Sequence, residues 1–525
     1  MNKSRLISNT LALTALTAVS KVLGLLRESS LAAYYGASSY SDAYKIAFAV
    51  PDVFFALITA SIVQTFIPVY SDRLKENDPE SRQRFLNNIF TMVGLFSLVI
   101  IVLGMLGSPL IVRFMAPGID KATADLAADL TRIIIPAALF LVLTNLAAGY
   151  LQSHGHFVTP ALIWYPHNLI IIGSIVFFHR YGIRAVAVGS ALSLVSMLFI
   201  QIPSLKKQGF KYRPFLDFKD KGLRSIGILV GPVLISTAFN QVYSVINKVL
   251  ASGFDSGSIS ALDYAFRVNA LITNIFILSI SAVMYPKFAQ LSHDMPGFIN
   301  TVGKVLRFAA ILTIPMAACL FVLRTPIIQV IYERGAFTEA DTQRTAFALC
   351  GLSVGVIGFA YRELLNKAFY ALKDTRTAMV NGIIVIVMNI TFNLVLSRFL
   401  GIAGITFGTS LAAVLSGGML LVRLRRKIGG IRGRWIAIGL VKSMAATGMM
   451  VLVVKFVEFI LTDNLNLSGS TFLRAVNLMI AAAAGAAAYF GSLLLLKVEE
   501  AYDAVNFVRN RMGSLKKIVK GKVLE

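Results

Sequence analysis

Charge is what this chain has least of. Of its 525 residues 14% are Asp, Glu, Lys or Arg, against about 25% in a soluble domain. Hydrophobic residues make up 56% and the mean hydropathy is +0.73. An array of water-soluble domains is therefore excluded. Cysteine is nearly absent: Cys319 and Cys350 both fall in apolar runs, which rules out a disulfide framework or a thiolate metal site. The five histidines, His154, His156, His167, His179 and His293, lie near the ends of expected spans or in loops. His154 and His156 have no acidic or Cys partner at ligand spacing and read as a turn. No Gly-rich phosphate loop of the Walker type occurs, which argues against ATP hydrolysis by this chain. No cofactor, no metal and no nucleic-acid partner are expected, and no catalytic constellation is present.

What the chain has instead is a succession of apolar segments, each long enough to cross a hydrocarbon core of roughly 30 Å. About fourteen are expected, near 8–35, 41–70, 86–115, 131–152, 158–179, 183–204, 224–252, 264–291, 301–324, 343–372, 379–399, 402–423, 434–461 and 473–496. Lys3 and Arg5 precede the first, but no small-residue cleavage site follows, so it reads as a retained helix. The net charge of +24 is concentrated in alternate loops: Arg73, Lys75, Arg82 and Arg84; the 205–223 stretch; Arg423 to Arg434; and a tail with Lys516, Lys517, Lys520 and Lys522. The loops 36–41, 253–263 and 462–472 carry no Lys or Arg. This asymmetry places both termini in the cytoplasm. The basic 205–223 loop, with Pro214, suits an exposed linker near anionic headgroups.

A weak internal repeat agrees with this map. Gly182-Ile183 and Gly189-Ser190-Ala191-Leu192 return as Gly401-Ile402 and Gly408-Thr409-Ser410-Leu411, both at an offset of 219. Spans four to six thus resemble spans ten to twelve, a parallel repeat about an axis along the membrane normal. The expected fold is an all-α polytopic membrane protein of two six-helix lobes plus two C-terminal helices. Its parts are an N-terminal lobe (1–205), a cytoplasmic linker (206–223), a C-terminal lobe (224–427), spans thirteen and fourteen (428–500) and a basic cytoplasmic tail (501–525).

Against this apolar background, Lys21, Arg27 and Glu28 interrupt the first span, and Arg267 stands at the entrance of the eighth. A basic residue inside a span costs about 2.5–3.5 kcal/mol on insertion scales and usually faces a cavity. Lys21 and Glu28, seven residues apart, share a helical face. The bland alternatives are snorkelling for Lys21 and Arg27, and for Arg267 a local pair with Asp263 four residues before it. Asp42 and Lys45, at the start of the second span, read equally as interfacial. Guanidinium forks match phosphate oxygens, whereas a cation exporter wants unpaired carboxylates; the acids within spans are few (Glu28, Asp52, Glu363, Glu458). The balance favours an anion such as a phosphate-bearing lipid headgroup.

The runs Val19-Ser20-Lys21-Val22-Leu23-Gly24-Leu25-Leu26-Arg27-Glu28, Tyr35-Gly36-Ala37, Ser41-Asp42-Ala43-Tyr44 and Phe66-Ile67-Pro68-Val69 resemble the opening of the MurJ/MviN lipid II flippases. The likeness continues at Leu250-Ala251-Ser252-Gly253, Tyr264-Ala265-Phe266-Arg267, Glu333-Arg334-Gly335-Ala336-Phe337-Thr338 and Ala368 to Thr377. The resemblance implies the multidrug/oligosaccharidyl-lipid/polysaccharide exporter fold, a bacterial cytoplasmic membrane location, and outward flipping of undecaprenyl-diphosphate-linked peptidoglycan precursor. It implies membrane lipids and cell-wall synthesis or division machinery as further partners. By motif, Arg27, Arg267 and Lys21 match diphosphate-binding positions, and Glu28 and Asp42 match acidic, orienting positions of the cavity. Two departures stand out. Many relatives carry an arginine pair and then Ala-Glu-Gly in span two, where this chain has Phe54-Phe55-Ala56 and Thr59-Ala60-Ser61. Asn247, Asn389, Asn393 and Thr409 match a sodium site of some relatives, with amides where carboxylates stood: a degenerate ion site. A flippase for another polyprenyl-diphosphate-linked polysaccharide unit, or a cation or drug antiporter, remains open at this point.

Overall fold

The computed structural model describes residues 3–75, 78–431, 433–461, 470–503 and 506. The tail lysines Lys516, Lys517, Lys520 and Lys522 lie outside the described residues, as does most of the 462–472 loop. Within the described residues every regular element is helical. The expected all-α polytopic class holds: among the described residues nine helices are long and apolar enough to cross a membrane, or eleven when two bent pairs each count as one span.

The chain forms two compact units, residues 1–264 with 332–341, and residues 265–331 with 342–525. The first unit holds α1 (Lys3–Tyr35), α2 (Ser39–Arg73), α3 (Pro79–Leu106), α4 (Ser108–Met115), α5 (Lys121–Ile134), α6 (Ala138–Ser153), α7 (Val158–Leu162), α8 (Trp164–Phe178), α9 (Ile183–Phe199), α10 (Ile202–Lys207) and α11 (Lys221–Ala251). The chain then enters α12 (Ser258–Gln290), whose first residues belong to this unit. The second unit holds the rest of α12, then α13 (Met295–Val322), α14 (Arg324–Tyr332), α15 (Glu339–Val354), α16 (Val356–Ala371), α17 (Thr375–Leu400), α18 (Ile402–Lys427), α19 (Gly433–Phe459) and α20 (Thr471–Leu495). α1, α2 and α11, of 33, 35 and 31 residues, coincide with the first, second and seventh expected spans and exceed the roughly 20 residues a span requires.

Helix starts are written in short polar motifs. Asp78, Asp120, Asp294 and Asp374 each accept a hydrogen bond from the backbone N–H three residues on, at 3.0, 3.0, 3.2 and 3.0 Å, filling one of the donors that a helix N-terminus leaves open. The repeat seen in sequence has a structural counterpart inside each unit. Gly182 and Gly401 precede α9 and α18 with φ of +80° and +57°, a left-handed region that disfavours a side chain. Seven residues later Gly189 and Gly408 let the helix backbone close on its predecessor. A Cβ on Gly189 would stand 2.2 Å from Ser174 of α8, and one on Gly408 would stand 2.4 Å from Asn393 of α17.

The first unit's core stacks Phe66 on Tyr70 and Phe85, with ring centroids 5.2 and 6.5 Å apart, beside Ile89, Leu146 and Tyr150. The second unit's core gathers Phe288, Phe298, Leu306, Leu365, Phe369 and Leu420. α15 and α16 meet at a 43° bend because the Ser410 hydroxyl donates to the Gly351 carbonyl at 2.6 Å, inserting a side chain into the ladder beside Gly355. Large apolar side chains cover the outside, Leu106, Leu110, Phe177 and Phe399 among them, as a hydrocarbon environment requires.

The 206–223 linker is stitched to α3. The Asn88 amide exchanges hydrogen bonds with the Asp217 backbone at 2.7 and 2.8 Å, and Gln83 donates to the Lys211 carbonyl at 2.7 Å. Its exposed Tyr212, Phe215, Leu216 and Phe218, among Lys211, Arg213 and Lys219, have the composition of a membrane-interface segment.

Candidate functional site

Glu28 sits at the centre of the charged residues of the first unit, 5% exposed. It lies on α1 among residues that bury against α2 and α8, so its carboxylate cannot reach water and must be met by protein cations. Arg27 Nη2 donates to one oxygen at 2.8 Å, and Lys45, from the second turn of α2, donates to the other. Lys45 is itself 7% exposed and lies 4.4 Å from the centre of the Tyr264 ring, a favourable face for an ammonium. Two cations thus share one carboxylate, and the carboxylates of Asp42 and Asp263 also act on the Tyr264 ring.

Arg27 is held on a second side. Its Nη1 lies 3.1 Å from Nε2 of His167 on α8, and the other ring nitrogen lies 3.0 Å from Ser193 Oγ on α9. Phe48 of α2 flanks the guanidinium at 5.9 Å, and Tyr44 of α2 is tied to Ser190 of α9 at 2.7 Å. The site is thus built by α1, α2, α8 and α9. Each contributes through a position one or two helical turns from its neighbour's, the spacing that brings side chains from packed helices into register. Lys45 and His167 are part of it, although in sequence one looked interfacial and the other terminal. The signal for His167 was its place nine residues inside the apolar stretch 158–179.

Lys21 lies two turns from Glu28 on α1 and is half-buried; the structure does not bring it to the Glu28 carboxylate. Asp42 does something else. Its two oxygens accept the backbone N–H groups of Gly257 and Ser260, each at 2.7 Å, so it caps α12 from another helix. Gly257 is needed there, since a Cβ would stand 1.9 Å from the Ala37 carbonyl oxygen. Asp263, the sequence neighbour offered to Arg267, accepts from Lys248 at 3.2 Å. Arg267 belongs to the second unit, exposed on α12. The Glu333–Thr338 turn lies in the first unit: Arg334 donates to Ser29 and the Ala336 N–H to the Ala33 carbonyl at 2.7 Å. Phe55, at one of the positions where the sequence departs from the family likeness, fills the core, 0% exposed.

In the second unit Asn389, Asn393 and Thr409 are buried together. Asn389 Nδ2 donates to Thr409 Oγ1 at 3.0 Å, and Asn393 Nδ2 to Asn389 Oδ1 at 3.1 Å. Two of the oxygens a cation would need are thereby occupied by amide N–H groups. Asn247 is buried in the first unit. Among the described residues no group of three or more His, Cys, Asp or Glu side chains could hold a metal.

With this geometry in view, comparison with known proteins is informative. The family model described as "Lipid II flippase MurJ" matches residues 31–476. A probable lipid II flippase MurJ from Rickettsia prowazekii is 29% identical over 415 residues, covering 78% of this chain and 82% of the relative. The lipid II flippase MurJ of Burkholderia cenocepacia is 26% identical over 429 residues, covering 79% and 83%. Among solved structures, a lipid II flippase MurJ in an inward closed conformation superposes with a TM-score of 0.79 at 25% identity, covering 94% of this chain and all of that one. An inward-facing multidrug transporter of the MATE family shares the fold, with a TM-score of 0.66 at 15% identity over 80% of this chain. The match of the family model over most of the sequence, with relatives covered along most of their length, is decisive: the chain belongs to the lipid II flippase MurJ family.

Proposed function

We propose that this chain is a lipid II flippase, moving undecaprenyl-diphosphate-linked muropeptide from the inner to the outer leaflet of the bacterial cytoplasmic membrane. The observation that carries this reading is the buried Arg27–Glu28–Lys45 cluster, which fixes a guanidinium fork, a match for phosphate oxygens, in a low-dielectric site. The MATE likeness concerns the fold alone, and the fixed Arg27 guanidinium is a donor suited to an anion.

On this reading the chain crosses the membrane fourteen times with both termini in the cytoplasm and works by alternating access between two six-helix lobes. Arg27, Lys21 and Arg267 are the candidate phosphate contacts. Glu28 orients Arg27, and Asp42 orients the start of α12. No catalysis is involved, and cell-wall synthesis or division enzymes downstream are the natural partners. Asn389, Asn393 and Thr409 offer sodium neutral oxygens without a carboxylate, two of them already accepting amide N–H groups, a weak set for that ion, so no step is routed through it. The membrane potential supplies the drive instead: two negative charges moving outward gain about 2.3 kcal/mol each per 100 mV.

The test is genetic. In cells depleted of their own lipid II flippase, expression of this chain should restore growth and lipid II exposure on the outer surface. Good expression without restored exposure would favour another polyprenyl-diphosphate-linked glycan as cargo.

A further inference from the structure

His167 is 3% exposed and its hydrogen bonds fix its protonation. A guanidinium has only donors, so Nε2, 3.1 Å from Arg27 Nη1, must be the unprotonated nitrogen. Nδ1 then carries the hydrogen and donates to Ser193 Oγ at 3.0 Å, which suits a hydroxyl whose own hydrogen goes to the Ser190 carbonyl at 2.6 Å. Among the described residues, the charged and titratable groups of the cluster around the ring include Arg27 and Glu28 on α1, Asp42, Tyr44 and Lys45 on α2, Asp263 and Tyr264 on α12, and Tyr332 on α14. α9 presents the hydroxyls of Ser190 and Ser193 to this cluster.

A proton on Nε2 and the Arg27 contact exclude one another, because each needs the same lone pair. A diphosphate has more negative charge than Glu28 and matches the guanidinium fork, so it draws Arg27 away from the ring. Nε2 then loses the Arg27 donor while an anion arrives beside it. Taking up a proton gives the ring an N–H donor facing the phosphate oxygens.

We propose that His167 is a positioning residue that links diphosphate binding to the uptake of one proton. In the empty carrier the neutral ring holds Arg27 through Nε2; in the loaded carrier the imidazolium faces the anion. The proton comes from solvent and returns there on release, and no covalent bond of the substrate changes. This rests on the diphosphate reading above and adds to it a residue and a pH dependence that the family comparison does not supply.

The experiment uses the full chain in lipid nanodiscs and undecaprenyl diphosphate as the probe, with affinity measured from pH 5.5 to 8.5 for wild type, His167→Gln and Arg27→Ala. Above the imidazole range, the wild-type Kd should rise about tenfold per pH unit more steeply than that of His167→Gln. The variant comparison removes the ligand's own ionisation and that of Glu28, Lys45 and the tyrosines. Equal slopes in wild type and His167→Gln overturn the proton linkage while leaving the diphosphate site standing. Equal affinity of Arg27→Ala and wild type at every pH overturns the diphosphate site itself. Should His167→Gln not fold, nitrogen NMR of the wild-type ring decides. The Nδ1–H tautomer is expected in the empty protein and a doubly protonated ring with ligand; a ring unchanged by ligand overturns the proposal.

Discussion

Lys45 of α2 shares the Glu28 carboxylate with Arg27, which binds it at 2.8 Å. The carboxylate therefore pins α1 to α2 and holds the Arg27 guanidinium in place.

Removing Glu28 leaves two buried cations facing each other. Breaking a buried pair costs about 3–5 kcal/mol, so Glu28→Ala should lower the unfolding temperature markedly in detergent. Glu28→Gln combined with Lys45→Met should recover part of that loss, because the second substitution removes the repulsion. A thermal shift for the double variant as large as for Glu28→Ala would contradict this account.

Arg27→Lys keeps the charge and removes the fork. A charge-assisted hydrogen bond is worth about 1.5–3 kcal/mol, so diphosphate affinity should fall about ten- to a hundredfold although the protein still folds. Undiminished binding by Arg27→Lys would reduce Arg27 to a point charge.

Asp42→Ala strips two backbone N–H groups of their acceptor at the start of α12. Hydrogen exchange at Gly257 and Ser260 should accelerate, and stability should fall by about 1–3 kcal/mol. Exchange confined to wild-type rates would show that the cap is dispensable.

Much of this was legible in the sequence, and what was not has physical reasons. The interruptions at Arg27 and Glu28 are visible because charge is rare in an apolar run. Lys45 was obscured because a lysine near a span's start is as easily a snorkelling side chain; nothing local reveals that it turns inward to Glu28. Asp42 was legible as an acid but not as a cap, since its partners Gly257 and Ser260 are far away in sequence. His167 was grouped with the span ends although it stands nine residues inside the expected span 158–179; in the structure that span is a short helix followed by a longer one, and His167 lies in the first turn of the second. The 206–223 linker read as exposed, and nothing in its sequence shows that Asn88 and Gln83 on α3 bind its backbone; such pairing leaves no periodic trace.

Asp374 caps α17, and its carboxyl is held below the usual range chiefly by its hydrogen bond with Lys427, with the Thr377 N–H adding to the effect. A lowered folded value means the stabilisation is present above about pH 3.9, the ordinary carboxyl value, and is lost as pH falls through the lowered one. Asp374→Asn should therefore destabilise the protein at pH 7, and the difference from wild type should shrink under strong acid. A difference independent of pH would show that the charge plays no part.

Sodium should leave the wild type indifferent. Replacing sodium by potassium should not change its thermal stability, whereas Asn393→Asp, which adds a carboxylate to the Asn389–Thr409 cluster, should gain a sodium-dependent upward shift. A sodium-dependent shift in the wild type would contradict the reading of that cluster.

The most direct measurement is lipid II flipping in proteoliposomes with potassium and no sodium on either side, with and without an inside-negative potential set by valinomycin. The wild type should flip faster under the potential, and Arg27→Ala should not flip above protein-free liposomes. A wild-type rate unaffected by the potential, or an Arg27→Ala rate equal to that of the wild type, would contradict the account.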